Sequence, residues 1–128
     1  MNKKYIPLIW LAVIIVIAIV VVILISTSNP KGVLKDGVIL NDPYFSYKVI
    51  IIHFPSCPHC LVVVPILKEI EQENNLEFYY YDTTNRQQLD ELTRLGLVVQ
   101  YVPDVIIYGK VYVGERTKAE YEEAILNK

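Results

Sequence analysis

The chain has 128 residues, which is enough for one domain and a short additional segment. Its 12 Lys and Arg residues against 14 Asp and Glu give a net charge of −2, so no basic excess favours nucleic acid or an anionic surface as a partner. Hydrophobic residues make up 53% of the chain, which is high for a domain without a membrane segment.

The apolar excess is concentrated at the N-terminus. Residues 6–25 contain no charged side chain, and at ~1.5 Å per residue a helix of that length reaches about 30 Å, the thickness of the hydrocarbon core of a bilayer. Tyr5 and Trp10 stand where aromatic anchors meet the membrane–water boundary. We therefore predict a transmembrane signal anchor at 1–25, in contact with the lipid bilayer. A cleaved signal peptide is the alternative, although its apolar region is usually shorter.

The lysines that flank this segment predict its orientation. Lys3 and Lys4 precede it closely, whereas Lys31 and Lys35 follow at a greater distance. Because positive residues favour the cytoplasmic side, we predict a single-pass protein of the cell membrane with its domain on the extracytoplasmic side. Residues 26–37, which include Asn-Pro and two glycines, predict a polar linker.

Residues 38–128 have the alternating pattern of an α/β domain. The run Val49–Phe54 is short, β-branched and apolar throughout, as in a buried parallel strand. The first half of the domain is predicted to contain an edge strand at 38–40, a turn with Tyr44 and Phe45 in the core, the strand Val49–Phe54, a helix at Leu61–Asn75 and a strand at Leu76–Tyr81.

The second half of the domain carries clear helix and turn signals. Polar residues 82–85 supply N-caps for a helix that ends at Gly96 in a left-handed conformation. Gly109-Lys110 between two apolar runs predicts a hairpin with a type II′ turn. A capping box at Thr117–Glu120 opens a last helix through Leu126. The result is a sheet of four or five strands with helices on both faces.

The two cysteines, Cys57 and Cys60, lie between the apolar strand and the following helix. At a helix N-terminus the free N–H groups and the positive end of the dipole stabilise an anion. Pro58 suits the first helical turn because its missing N–H has no partner there. A protonated His59 would add positive charge beside a thiolate. These residues together indicate thiol chemistry at Cys57.

A wider pattern resembles a known family. Residues 54–60 (Phe-Pro-Ser-Cys-Pro-His-Cys) and the later Pro65 resemble the active site and proline-kinked helix of the thioredoxin superfamily, with the Pro-His dipeptide of the Dsb-type disulfide oxidases. Val102-Pro103 resembles the family's cis-proline opposite the redox pair. The resemblance covers residues 38–126 and implies a thioredoxin-like fold with a trimmed N-terminal unit, preceded by one transmembrane helix.

The chain departs from the family at two positions. Ser56 stands where thioredoxin has Trp, and Ile51 replaces the family's buried acid. Proton transfer to the resolving thiol must therefore take another route.

The resemblance implies a thiol–disulfide oxidoreductase. Disulfide exchange needs a thiolate that attacks and a second thiol that resolves the mixed disulfide. We assign attack to Cys57, which we expect to be exposed, and resolution to a buried Cys60, and we expect the two to form a disulfide. The backbone of Val102 is predicted to pair with an extended substrate beside Pro103. The other residues of the predicted catalytic set are Pro58, His59 and Pro103.

The implied function is the formation or isomerisation of disulfides in exported proteins, with a membrane redox partner that recycles the cysteine pair. The implied substrates are thiol- or disulfide-containing proteins, and no cofactor, metal or nucleic acid is expected. One alternative is an extracytoplasmic reductase for cytochrome maturation or bacteriocin export. Another is a redox-inactive binding module that uses the apolar surface Leu61–Val64. A static bridge of this spacing would stabilise little, because it closes a very short loop.

Two further residues remain open. His53 ends the buried strand, where it is either a proton carrier beneath the cysteines or a hydrogen-bonded core residue. Asp104 follows Pro103, and a carboxylate there would oppose a thiolate. Zinc is disfavoured, because a histidine in the strand and another between the cysteines do not converge on one point.

Overall fold

The computed structural model describes residues 6–27 and 32–127, and the chain divides into two compact units, Met1–Pro30 and Lys31–Lys128. The first unit contains helix α1 (Ile6–Thr27). Its segment Ile6–Leu24 has a mean hydropathy of 3.4 and is long and apolar enough to cross a membrane. A signal sequence has the same properties. The helix therefore confirms only that the predicted apolar segment is helical and long enough to span a membrane. Lys3, Lys4, Tyr5 and positions 28–31 of the predicted linker lie outside the described residues.

The second unit is a mixed α/β structure around a four-stranded sheet in the order β2-β1-β3-β4. β1 is parallel to β2 and antiparallel to β3, and β3 is antiparallel to β4. This arrangement is compatible with a thioredoxin-like fold. The strands are β1 (Val49–His53), β2 (Tyr79–Asp82), β3 (Asp104–Ile107) and β4 (Lys110–Val113), and the helices are α2 (Pro58–Glu73), α3 (Arg86–Arg94) and α4 (Lys118–Leu126).

The central strand β1 is buried on both faces, as its continuous apolar run predicts. Ile50 and Ile52 belong to one core cluster, which includes Leu92 of α3. Alternate residues point to opposite faces, and Val49 and Ile51 belong to a second cluster. That cluster receives side chains from α2 and α4, namely Val63, Leu67, Ile70, Tyr121 and Ile125.

The predicted ends of α3 and α4 are confirmed. In α4 the hydroxyl of Thr117 accepts from the N–H of Glu120, whose carboxylate accepts from the N–H of Thr117. Asn85 caps α3 by accepting from the N–H groups of Gln87 and Gln88. Gly96 follows that helix with a φ of 75°.

The hairpin differs from the sequence prediction. Ile107 pairs with Lys110, so the two turn residues are Tyr108 and Gly109. Both have positive φ, 49° and 89°, as a type I′ turn requires, and the predicted type II′ turn is wrong. The hydroxyl of Tyr108 donates to the carbonyl of Ile125 at 3.1 Å, which holds this tyrosine in an unusual conformation.

Two other predicted elements are shorter or displaced. The predicted edge strand at 38–40 is reduced to a single bridge between Ile39 and Lys110. The strand predicted at Leu76–Tyr81 is observed at Tyr79–Asp82.

Side chains bind the backbone at both ends of β2, an edge strand of the sheet. The carboxylate of Glu71 accepts from the N–H of Phe78 at 2.7 Å and from the hydroxyl of Tyr80 at 2.9 Å. The side-chain oxygen of Gln88 accepts from the N–H of Asp82 at 2.6 Å. These bonds tie α2 and α3 to the edge strand.

Candidate redox site

The two cysteines form a disulfide at the N-terminus of α2, as predicted, with a Cα–Cα distance of 5.1 Å. Cys57 is the N-cap of the helix, and its sulfur accepts from the N–H of Cys60 at 3.1 Å. The helix begins at Pro58, three residues before the predicted start, because a proline is tolerated in the first turn. After reduction, the same N–H and the helix dipole would stabilise a thiolate on Cys57.

Both cysteines are buried, which corrects the expectation that Cys57 is exposed. Cys57 is 4% exposed and Cys60 2%. The sulfur of Cys57 lies 3.7 Å from the carbonyl oxygen of Val102, so the chain segment before β3 covers it. The exposed fraction therefore does not separate the two thiols, and their distinction depends on their positions at the helix N-terminus.

The carbonyl of Val102 lies against the sulfur of Cys57, and Pro103 directly follows Val102 in the chain. Their peptide bond is cis. The carbonyl of Pro103 accepts from the N–H of Gly114 at 2.8 Å, which joins this segment to the residues after β4. Pro103 is buried and Val102 half-buried. The position is suitable for substrate contact beside Cys57, and that role remains a prediction.

A cleft of about 310 Å³ opens beside Val102. Its lining includes Phe54, which follows β1, and Leu89 of α3. Tyr101, which also lines it, is 67% exposed. The cleft therefore offers apolar surface beside Val102, the residue whose carbonyl oxygen lies 3.7 Å from the sulfur of Cys57.

His59 has a partner that the sequence did not reveal. Its Nδ1 lies 2.9 Å from Oε2 of Glu115, a residue between β4 and α4. Both side chains are exposed, so each remains accessible to water and salt. The sequence gives no local signal for this pair, since the two residues are 56 positions apart.

Asp104 is fully buried, and neither carboxylate oxygen has a hydrogen-bond partner among the described residues. It lies in β3 between Ile52 of β1 and Val113 of β4. Burial raises the pKa of Asp104 to about 7. The carboxyl is therefore neutral below that pH, and its charge opposes a thiolate less than the sequence suggests.

The strand alternation places Asp104 away from the helix that carries the cysteines. Val105, the next residue, belongs to the core cluster under α2 and α4. Because adjacent strand residues point to opposite faces, the side chain of Asp104 lies on the other face of the sheet.

His53 lies at the end of β1 and packs against Tyr80. Its ring is half-buried, with its centroid 6.3 Å from that of Tyr80. Burial lowers the pKa of His53, an effect that Asp82 opposes and Lys68 reinforces. A proton-carrying role for His53 remains a hypothesis.

Comparisons with known proteins add no assignment. No protein-family model matches the chain, and the search of curated proteins gives no match.

Within residues 6–27 and 32–127, no group of three or more His, Cys, Asp or Glu side chains is arranged to hold a metal ion.

Proposed function

We propose that the chain is a membrane-tethered thiol–disulfide oxidoreductase of the thioredoxin-like class, which forms or isomerises disulfides in exported proteins. The observation that carries the proposal is the disulfide at the start of α2, in which the sulfur of Cys57 accepts the N–H of Cys60. A sulfur in this position is an effective leaving group, because its thiolate is stabilised by the helix N-terminus.

The proposed reaction transfers two electrons from a substrate dithiol to the cysteine pair. A substrate thiolate attacks the sulfur of Cys57, the Cys57–Cys60 bond breaks, and Cys60 leaves as a thiolate that takes up a proton. The second substrate thiolate then attacks the substrate sulfur of the mixed disulfide, which forms the substrate disulfide and releases Cys57 as a thiolate. The substrate loses two protons and two electrons, and the membrane redox partner later reoxidises the pair.

Substrate contact is proposed at the segment that covers Cys57. Val102 has its carbonyl beside the sulfur, and the adjacent cleft exposes Tyr101. An extended chain that binds there would place a cysteine next to Cys57.

The redox potential tests the proposed direction of electron flow. We expect the equilibrium of the full-length protein with glutathione to give a potential above that of thioredoxin, about −270 mV. His59→Gln should move this potential in the reducing direction by tens of millivolts, because it removes the positive charge that a protonated imidazole places near the Cys57 thiolate, and ~30 mV corresponds to a tenfold change. His53→Gln is the matched comparison and should leave the potential unchanged if His53 is a core residue.

A potential at or below that of thioredoxin, unaffected by His59→Gln, would favour a reductase. A binding module is the other candidate, favoured by the exposed side chains of Leu61 and Tyr101 at 63% and 67%. Replacing both cysteines by Ser separates it from an enzyme, since a binding module keeps its role and an oxidoreductase loses it.

The membrane anchor is tested separately. We expect the full-length chain to fractionate with membranes and to resist alkaline carbonate extraction, because the apolar segment of α1 is long enough to span the bilayer. Protease added to intact cells should remove the domain. Protection of the domain, in cells where a known surface protein is cleaved, would reverse the proposed orientation.

A further inference from the structure

The contact between His59 and Glu115 joins the first turn of α2 to the segment between β4 and α4. The Nδ1 of His59 and Oε2 of Glu115 are 2.9 Å apart. His59 directly precedes Cys60 and is two residues from Cys57, the N-cap. Any charge held at the imidazole is therefore close to the cysteine pair.

The backbone around Glu115 is fixed on both sides. The N–H of Gly114 donates to the carbonyl of Pro103 at 2.8 Å, and the carbonyl of Gly114 accepts from the hydroxyl of Tyr121 at 3.3 Å. Thr117, two residues after Glu115, is the N-cap of α4. The position of Glu115 is thus set by the same segment that covers Cys57.

The charged neighbours of Glu115 have partners of their own. Arg116 donates to Asp36 at 2.7 Å. Glu120 accepts from the N–H and the hydroxyl of Thr117, each at 2.8 Å. Glu115 is therefore the carboxylate that this loop directs to His59.

A carboxylate in this place reduces the positive charge that the cysteine pair experiences. A protonated imidazole paired with Glu115 has no net charge, and a neutral imidazole beside it leaves a net negative charge. Without the carboxylate, the charge is either zero or positive. For a given protonation state of His59, the loss of Glu115 makes the surroundings of Cys57 more positive, which favours the thiolate and hence the reduced form.

We propose that Glu115 is a positioning residue that holds His59 and lowers the oxidising power of the Cys57–Cys60 couple. The inference rests on the proposed function, because it concerns the potential of the same couple. The size of the effect is limited by water and salt, since His59 is 69% and Glu115 44% exposed.

The test compares Glu115→Gln with the wild type in the full-length, detergent-solubilised protein. We expect its equilibrium constant with glutathione to shift about threefold towards the reduced pair, which is about 14 mV at 29.6 mV per tenfold change. Glu77→Gln is the matched control, with the same change of net charge. Glu77 is exposed and precedes β2, which is parallel to β1, so it lies at the opposite end of the sheet from Cys57. This control should leave the equilibrium unchanged.

A second measurement asks whether Glu115 acts through His59. In a His59→Gln background, Glu115→Gln should shift the equilibrium constant by less than half as much, because without the contact to the imidazole the exposed carboxylate is no longer held near the cysteine pair. An equal shift in both backgrounds would overturn the positioning role, because the effect of the carboxylate would then not depend on its contact with His59. A wild-type potential that Glu115→Gln leaves unchanged, or moves in the reducing direction, would also overturn it.

The proposed function fails in a different way. A wild-type pair that does not equilibrate with glutathione at all would remove the oxidoreductase assignment. If the pair equilibrates with glutathione and Glu115→Gln leaves the equilibrium constant unchanged, only the inference about Glu115 would be removed.

Discussion

Replacing Asp104 by Asn should make the stability of the domain less dependent on pH. Burial raises the pKa of Asp104 from 3.8 to about 7, so the folded state keeps a proton that the unfolded state has lost. This carboxyl therefore does not lower the free energy of unfolding below about pH 3.8. It lowers that free energy progressively as the pH rises to about 7, and by a constant amount above that. Between about pH 5 and about pH 8, ionisation of Asp104 should lower the free energy of unfolding of the wild type by about 2.5 kcal/mol, a loss that the variant does not undergo.

The measurement is urea unfolding of both proteins at the two ends of this range, followed by near-ultraviolet circular dichroism. The carboxyls of Asp36, Asp82 and Glu120 have lowered pKa values and are ionised throughout this pH range. The lowered pKa of His53 acts in the opposite sense, and it cancels in the difference between variant and wild type.

Asp90→Asn is the matched control, because Asp90 is exposed on α3. It should reproduce the pH dependence of the wild type. If Asp104→Asn changed the free energy of unfolding by the same amount at both ends of the pH range, the buried carboxyl would not be the cause.

Replacing Cys60 by Ser should trap substrates on Cys57. The mixed disulfide would persist because no second thiol of the protein resolves it. We expect covalent adducts to accumulate in cells and to disappear when the sample is reduced, as seen by non-reducing electrophoresis. The expectation depends on the position of Cys57 as the N-cap, where its thiolate is stabilised.

Cys57→Ser is the matched control and should trap almost nothing. It keeps one thiol and loses the sulfur that caps the helix. Because both cysteines are buried in the disulfide form, exposure does not decide the outcome in advance. Faster alkylation of Cys60 than of Cys57 in the reduced protein would reverse the assigned roles.

Local signals predicted the ends of α3 and α4 well. The capping box at Thr117–Glu120 and the glycine at position 96 act within one helical turn, so the sequence alone contains what they need. The apolar run at β1 likewise predicted a strand buried on both faces, since a continuous run leaves no face for water.

Features that depend on pairing between distant segments were not predictable in the same way. The hairpin turn was assigned one residue too late, because the register is set by Ile107 and Lys110 and the positive φ of Tyr108 is supported by a bond to α4. The face of the sheet on which Asp104 lies likewise depends on its pairing with Ile52.

The candidate site was predictable in its cysteines and in Val102-Pro103, which the resemblance placed together. The charges around the site were not predictable, because Glu115, which contacts His59, is 56 positions away from it in the sequence. The burial of Cys57 was missed for the same reason, since the covering carbonyl belongs to Val102.

The side-chain bonds at β2 also bear on self-association. An edge strand exposes backbone N–H and carbonyl groups that can recruit the strand of another molecule and start aggregation. At the two ends of β2, the N–H of Phe78, which precedes the strand, is bound to Glu71 and the N–H of Asp82 is bound to Gln88. A strand from a second copy would have to displace both side chains before it could extend the sheet. This protection would matter most if the proposed membrane anchor holds many copies side by side in one plane.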